Sequence, residues 1–204
     1  MDSNWAAEHL QTIRTLMERS ALYRRALAPI MLFAGMLGLA AAAAGLAFHL
    51  DSMRAFAGLW CGTAAGAVAG AFLIARRQAL QDKEPFWSPP TRRVAQALLP
   101  PLLGGLCLGL VFASVGLANA VTLSFIWILF YGCALHSAAF FMPRGMKWFG
   151  WLHVGAACVL LSLAAVLEPG FQVSAHAVMG FFFGFLHLAY GIYLYLTQER
   201  NNAA

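Results

Sequence analysis

The strongest constraint on this chain is where its charges are missing. Fifty residues, 94–143, carry no Asp, Glu, Lys or Arg, and the runs 26–50, 55–75, 148–167 and 169–198 are equally free of them. A helix needs about 20 apolar residues to cross the hydrocarbon of a bilayer. Each shorter run holds one such helix, and the long run holds two joined by a tight turn at Gly116-Leu117-Ala118-Asn119. The predicted spans are 26–48, 53–75, 95–117, 120–142, 148–167 and 175–197. Lipid offers no partner to backbone N–H and C=O groups, so spans must be helices or a closed barrel. The alternating ten-residue segments of a barrel do not occur. The expected fold class is all-α, a polytopic membrane helical bundle. Residues 1–25 add an N-terminal amphipathic helix and residues 198–204 a cytoplasmic tail.

Composition excludes the soluble alternative. Hydrophobic residues are 61% of the chain and charged residues 10%, where soluble domains carry about 25% charged residues. A chain this small cannot hide that much apolar surface from water. The first span is read as a membrane helix, because it starts too late and runs too long for a signal peptide.

Lys and Arg set the orientation. With the N-terminus inside, Arg14, Arg19, Arg24, Arg25, Arg76, Arg77, Lys83, Arg92, Arg93, Arg144, Lys147 and Arg200 fall on the inner side, and Arg54 alone falls outside. The positive-inside rule then places both termini in the cytoplasm. Topology accounts for the net charge of +5, so no nucleic-acid partner is called for. The partners expected are the lipid bilayer, a cytoplasmic protein and a second copy of the chain.

Two segments offer surfaces to such partners. In the N-terminal helix, Leu10, Ile13 and Met17 share a face while Arg14 and Glu18 form an i,i+4 pair on another, with Trp5 at the start. This pattern suits a helix lying in the membrane interface or docking a partner. In the longest inner loop, Phe86 and Trp87 between prolines read as an interface anchor. Thr91 is expected to cap the helix that follows, Pro100 and Pro101 to kink it, and Gly145 to mark a turn before the fifth span.

Gly58, Gly62, Gly66 and Gly70 recur every four residues on the second span, which predicts a close packing seam with the first span or with a second copy. Gly38 and Ala42 offer a counterpart on the first span; Gly105 with Gly109, and Gly180 with Gly184, are weaker versions. Cys61, Cys107, Cys133 and Cys158 lie one to a span without any CxxC pair, and read as core residues.

The histidines are the candidate chemistry. His9, His49 and His176 lie outside the spans or at an outer end. His136, His153 and His187 lie within spans, with Tyr131, Tyr190, Tyr193 and Trp151 nearby in depth. At 1.5 Å per residue, His136 and His153 sit roughly 9 Å from the inner end of their spans and His187 roughly 15 Å. Three readings follow, in order of weight: polar glue between helices, a proton relay or polar path, and a metal or haem site assembled across helices. No HxxxH or HExxH pair and no carboxylate lies inside a span. No catalytic set is legible, so the expectation is a non-enzyme, with no cofactor predicted and any metal unknown.

The run Ile13-Arg14-Thr15-Leu16-Met17-Glu18-Arg19-Ser20 and the closing run from Gly184 to Tyr193 resemble a group of uncharacterised small six-span bacterial inner-membrane proteins. The resemblance implies the bacterial cytoplasmic membrane and supplies no activity. His187 and Tyr190 fall in the closing motif, which makes them, with His136 and His153, the candidate polar or ligand site. The leading expectation is a non-enzymatic sensor or accessory protein acting through partners. The alternatives are a transporter or channel for a small solute or ion, and a metal- or haem-binding membrane protein.

Overall fold

The computed structural model describes residues 26–83, 85–115, 119–167 and 173–203. The expected amphipathic helix with Trp5, Leu10, Ile13, Arg14, Met17 and Glu18, residues 116–118 of the predicted turn, and residues 168–172 of an outer connection lie outside them. The described residues are helices joined by short connections, with no strand. Six helices are long and apolar enough to cross a membrane, and the fold is that of a multi-pass membrane protein.

Helix α1 is Ala26–Ala47, α2 Met53–Gln81, α3 Pro89–Val115 and α4 Ala120–Ala138, which tightens into a 3₁₀ turn at Ala139–Phe141. Helix α5 is Arg144–Leu167. The last helix, α6, opens as Ala175–Met179, widens into a π segment at Gly180–Phe185 and closes as Leu186–Ala203, through the stretch expected to be tail. Polar residues just before the apolar runs start the helices. Ser52, Asn119 and Ser174 accept backbone N–H groups from Ala55, Thr122 and Ala177, satisfying donors that a helix start leaves orphaned.

Three starts or ends differ from the sequence reading. Helix α2 continues past residue 75 to Gln81, because Arg76 and Arg77 are exposed and cost the helix nothing there; Lys83 then leaves it in the left-handed region at φ 54°. Helix α3 begins at Pro89, where a missing N–H is harmless. Thr91 is therefore inside the first turn, its hydroxyl 3.0 Å from that of Ser88, and the helix runs on through Pro100 and Pro101. Gly145 belongs to the first turn of α5. The Tyr190 hydroxyl of α6 occupies the place where a Cβ at Gly145 would project.

The glycine seam that holds the bundle is between α1 and α6. A Cβ on Gly38 would overlap the Phe183 carbonyl oxygen, and one on Gly35 would lie 2.6 Å from the Leu188 nitrogen. From the other side, a Cβ on Gly184 would lie 2.9 Å from the Leu39 nitrogen and one on Gly191 2.9 Å from that of Leu32. The stripe on α2 divides: Gly66 and Gly70 receive Leu37 and Phe33 of α1, while a Cβ on Gly58 or Gly62 would meet nothing of the other described residues within 4 Å. Spacing shows that a face is smooth, and it does not say what lies on it. Gly105 and Gly109 lie under Phe130 and Trp127 of α4, and Trp127 donates its indole N–H to the Gly105 carbonyl at 2.9 Å.

The core fills the bundle from end to end. Leu27, Met31, Leu135, Met146 and Phe149 cluster toward the end that carries Arg76, Arg77, Arg92, Arg93, Arg144 and Lys147, called here the basic end. Ile128, Ala157 and Phe182 form the middle, and Phe56, Trp60, Leu123 and Met179 the far end.

A candidate functional site of imidazoles and a phenol

Where the first and middle clusters meet, α4, α5 and α6 each contribute a polar ring. Tyr131 comes from α4, His153 from α5 and His187 from α6. Tyr131 is partly buried, while His153 and His187 are 0% and 2% exposed. The ring centroids lie 5.3 Å apart for Tyr131 and His187, 5.4 Å for Tyr131 and His153, and 5.8 Å for the two histidines. Phe149, Phe182 and Phe183 wall the group in, with Phe149 packed edge-on against both imidazoles at 4.6 and 5.1 Å.

Each imidazole is held by its own helix. His153 Nδ1 lies 2.8 Å from the Phe149 carbonyl oxygen, four residues back. His187 Nδ1 lies 2.8 Å from that of Phe182, five residues back. The change from four to five is the signature of the π segment directly before His187, whose wider turn moves the ring relative to the carbonyls above it. A carbonyl can only accept, so both Nδ1 atoms carry hydrogen in the neutral rings and both Nε2 atoms present lone pairs to the interior. Tyr131 satisfies one of them, donating its O–H to His187 Nε2 at 2.5 Å. The other, His153 Nε2, is buried and has no hydrogen-bond partner. A buried polar atom left so costs about 1–3 kcal/mol.

The structure brings together two of the three intramembrane histidines. His153 joins His187 where α5 and α6 face each other through Phe149 and Phe182. His136 stands apart, its ring edge-on to Phe140 and Trp151 at 5.7 and 5.0 Å. Its Nδ1 is also buried without a partner. Tyr190 stacks on Phe149 at 4.9 Å, beside the group, and also on Tyr193. Among the described residues, no three His, Cys, Asp or Glu side chains come together as metal ligands.

Two functional-looking features escaped the sequence. His176, at the outer end of its span, is buried at 1% exposure. It accepts the Trp60 indole N–H at 3.2 Å and donates Nε2–H to the Leu50 carbonyl at 3.1 Å. This ties α6 to α2 and to the α1–α2 turn, and Gly45 makes the room, since a Cβ there would overlap the imidazole. The π segment was also missed, because Gly-Phe-Phe-Phe-Gly-Phe carries no periodic mark of a wider turn. The hydroxyls of Thr63, Ser114, Ser124 and Ser162 turn back onto carbonyls of their own helices.

Fold and site together define a class: a polytopic α-helical membrane protein with a hydrogen-bonded imidazole–phenol cluster in its interior. No family model matches the chain, and no curated protein or solved structure is significantly similar to it.

Proposed function

We propose that the chain is a non-catalytic protein of a bacterial cytoplasmic membrane, a sensor or accessory subunit that works through partners and keeps both termini in the cytoplasm. The observation that carries this reading is the Tyr131–His187–His153 cluster. Its imidazoles are oriented by backbone carbonyls of their own helices, walled by phenylalanines, and set between the buried clusters of the bundle. Such a centre suits a protein that registers a state and passes it along its helices. It does not suit a continuous polar path, for which intramembrane ionisable groups line a cavity. The orientation rests on the exposed cations of the basic end, Arg76, Arg77, Arg92, Arg93, Arg144 and Lys147.

The test is affinity capture of the full chain after mild solubilisation, beside a variant lacking residues 1–24. A defined set of partners that the shortened chain loses is the expected result. Identical partner sets, or none from either form, would count against the reading.

A further inference from the structure

Between Glu84 and Glu168 the chain carries no Asp or Glu. Its four cations over that stretch, Arg92, Arg93, Arg144 and Lys147, all lie near the starts of α3 and α5, at the basic end. Arg144 and Lys147 are exposed and form no ion pair with the described residues. The Lys147 ammonium instead lies over the Phe140 ring, 5.8 Å from its centroid, an attraction that holds it against the outer face of the α4–α5 pair. That face is aromatic: Phe140, Trp148 and Trp151 are 72%, 75% and 51% exposed. Aromatic rings beside cations are common where membrane helices meet water. One polar group here goes beyond that pattern. The His136 ring stands edge-on to both Phe140 and Trp151. Its Nδ1 is buried, but its Nε2 is not shut in and makes no hydrogen bond to the described residues. Trp151 follows Lys147 by one turn of α5, about 6 Å, so His136 opens onto this face a turn deeper than the cation. Leu152, Gly155 and Val159 carry the exposed face further along α5, and a Cβ on Gly155 would meet none of the other described residues within 4 Å.

From this juxtaposition we infer that the α4–α5 face at the basic end binds one anionic glycerophospholipid. Its phosphate pairs with Lys147 and Arg144. An ester carbonyl, hung below the phosphate on the glycerol backbone, accepts the Nε2–H of His136. An acyl chain follows Trp151 and Gly155 along α5. Two features choose this occupant. Two cations with no acid on either helix call for an anion at the membrane surface. An imidazole nitrogen one turn deeper calls for an acceptor that enters the membrane together with that anion, which a soluble phosphate lacks. The inference stands on this outer surface alone, and it holds for either orientation of the chain and for any role of the interior cluster.

The experiment is native mass spectrometry of the full chain, titrated with phosphatidylglycerol, phosphatidylcholine and ether-linked phosphatidylglycerol of matched chain length. The ether form has no ester carbonyl. Phosphatidylglycerol is expected to bind more tightly than phosphatidylcholine, and Lys147→Gln to weaken it about fivefold while leaving phosphatidylcholine unchanged. The native chain is expected to bind the ether form about twofold or more weakly than the ester form, a difference that His136→Phe removes. Should His136→Phe fail to fold, the comparison of ester and ether forms on the native chain still decides. Equal affinity for the anionic and zwitterionic lipids overturns the inference, as does a preference that survives Lys147→Gln combined with Arg144→Gln. Equal affinity for the ester and ether forms overturns the seat at His136 and with it the defined site. Inorganic phosphate that raises the unfolding temperature as much as phosphatidylglycerol does, through Lys147, would assign the cations to a soluble anion and overturn the lipid.

Discussion

At the scale of single residues, burial and partner count decide what each histidine is worth. Removing the Tyr131 hydroxyl leaves His187 Nε2 without its donor. Tyr131→Phe is therefore expected to lower stability by about 1–3 kcal/mol, measured as thermal unfolding in detergent. Unchanged unfolding would mean that the bond is absent. His176→Ala strands the Trp60 N–H and the Leu50 carbonyl and empties a filled site, whereas His136→Ala removes a ring with an unpaired Nδ1 and two edge contacts. The first should be clearly the more damaging in the same assay, and the reverse order would contradict the assigned roles. The three intramembrane positions were legible in the sequence as candidates, because an ionisable residue in an apolar run stands out. Which of them converge was not, since that depends on how α4, α5 and α6 turn toward one another, and both α5 and α6 run past the bounds that charge-free runs suggest. Tyr131 was visible at the right depth, but nothing in a linear sequence pairs a phenol on one span with an imidazole 56 positions away.

At the scale of helices, glycine acts through what faces it. Gly38 and Gly184 sit in backbone-to-backbone contact across the α1–α6 seam, with no flexible side-chain end to yield at Gly38. Gly38→Ala should destabilise the fold by about 1–3 kcal/mol, the usual cost of overpacking. Gly58→Ala and Gly62→Ala meet open space and should be neutral or stabilising by up to about 1 kcal/mol, the helix-propensity gain. Parallel thermal unfolding of the three variants checks this, and a Gly58→Ala loss as large as that of Gly38→Ala would contradict the packing. The six spans themselves were plain from charge-free runs. The strict four-residue repeat stands out on α2, yet it is Gly35 and Gly38 on α1 that face backbone of another helix, where Gly70 faces only the Phe33 ring. A regular repeat is easy to see, whereas close approach depends on which helix arrives opposite.

At the scale of the whole molecule, the layers form a filled bundle with a cluster of neutral polar rings near its middle. Leu135, Met146 and Phe149 close it toward the basic end, and Phe56, Trp60 and Leu123 close it at the other. Composition alone was enough to assign the solvent as lipid, because hydropathy and backbone satisfaction leave one architecture. Function was far less legible, since a sensor, a transporter and a metal protein can all be built from the same spans and differ only in how a few interior side chains meet. The account's central claim is that these side chains meet as a closed, neutral group. The measurement that tests it most directly is ion flux in proteoliposomes, with a pH-sensitive dye inside and a membrane potential applied. The account predicts proton entry at the rate of protein-free liposomes, for the native chain and for Tyr131→Phe alike. Flux well above that rate, lost in His153→Phe or Tyr131→Phe, would show a conducting path through the cluster and contradict it.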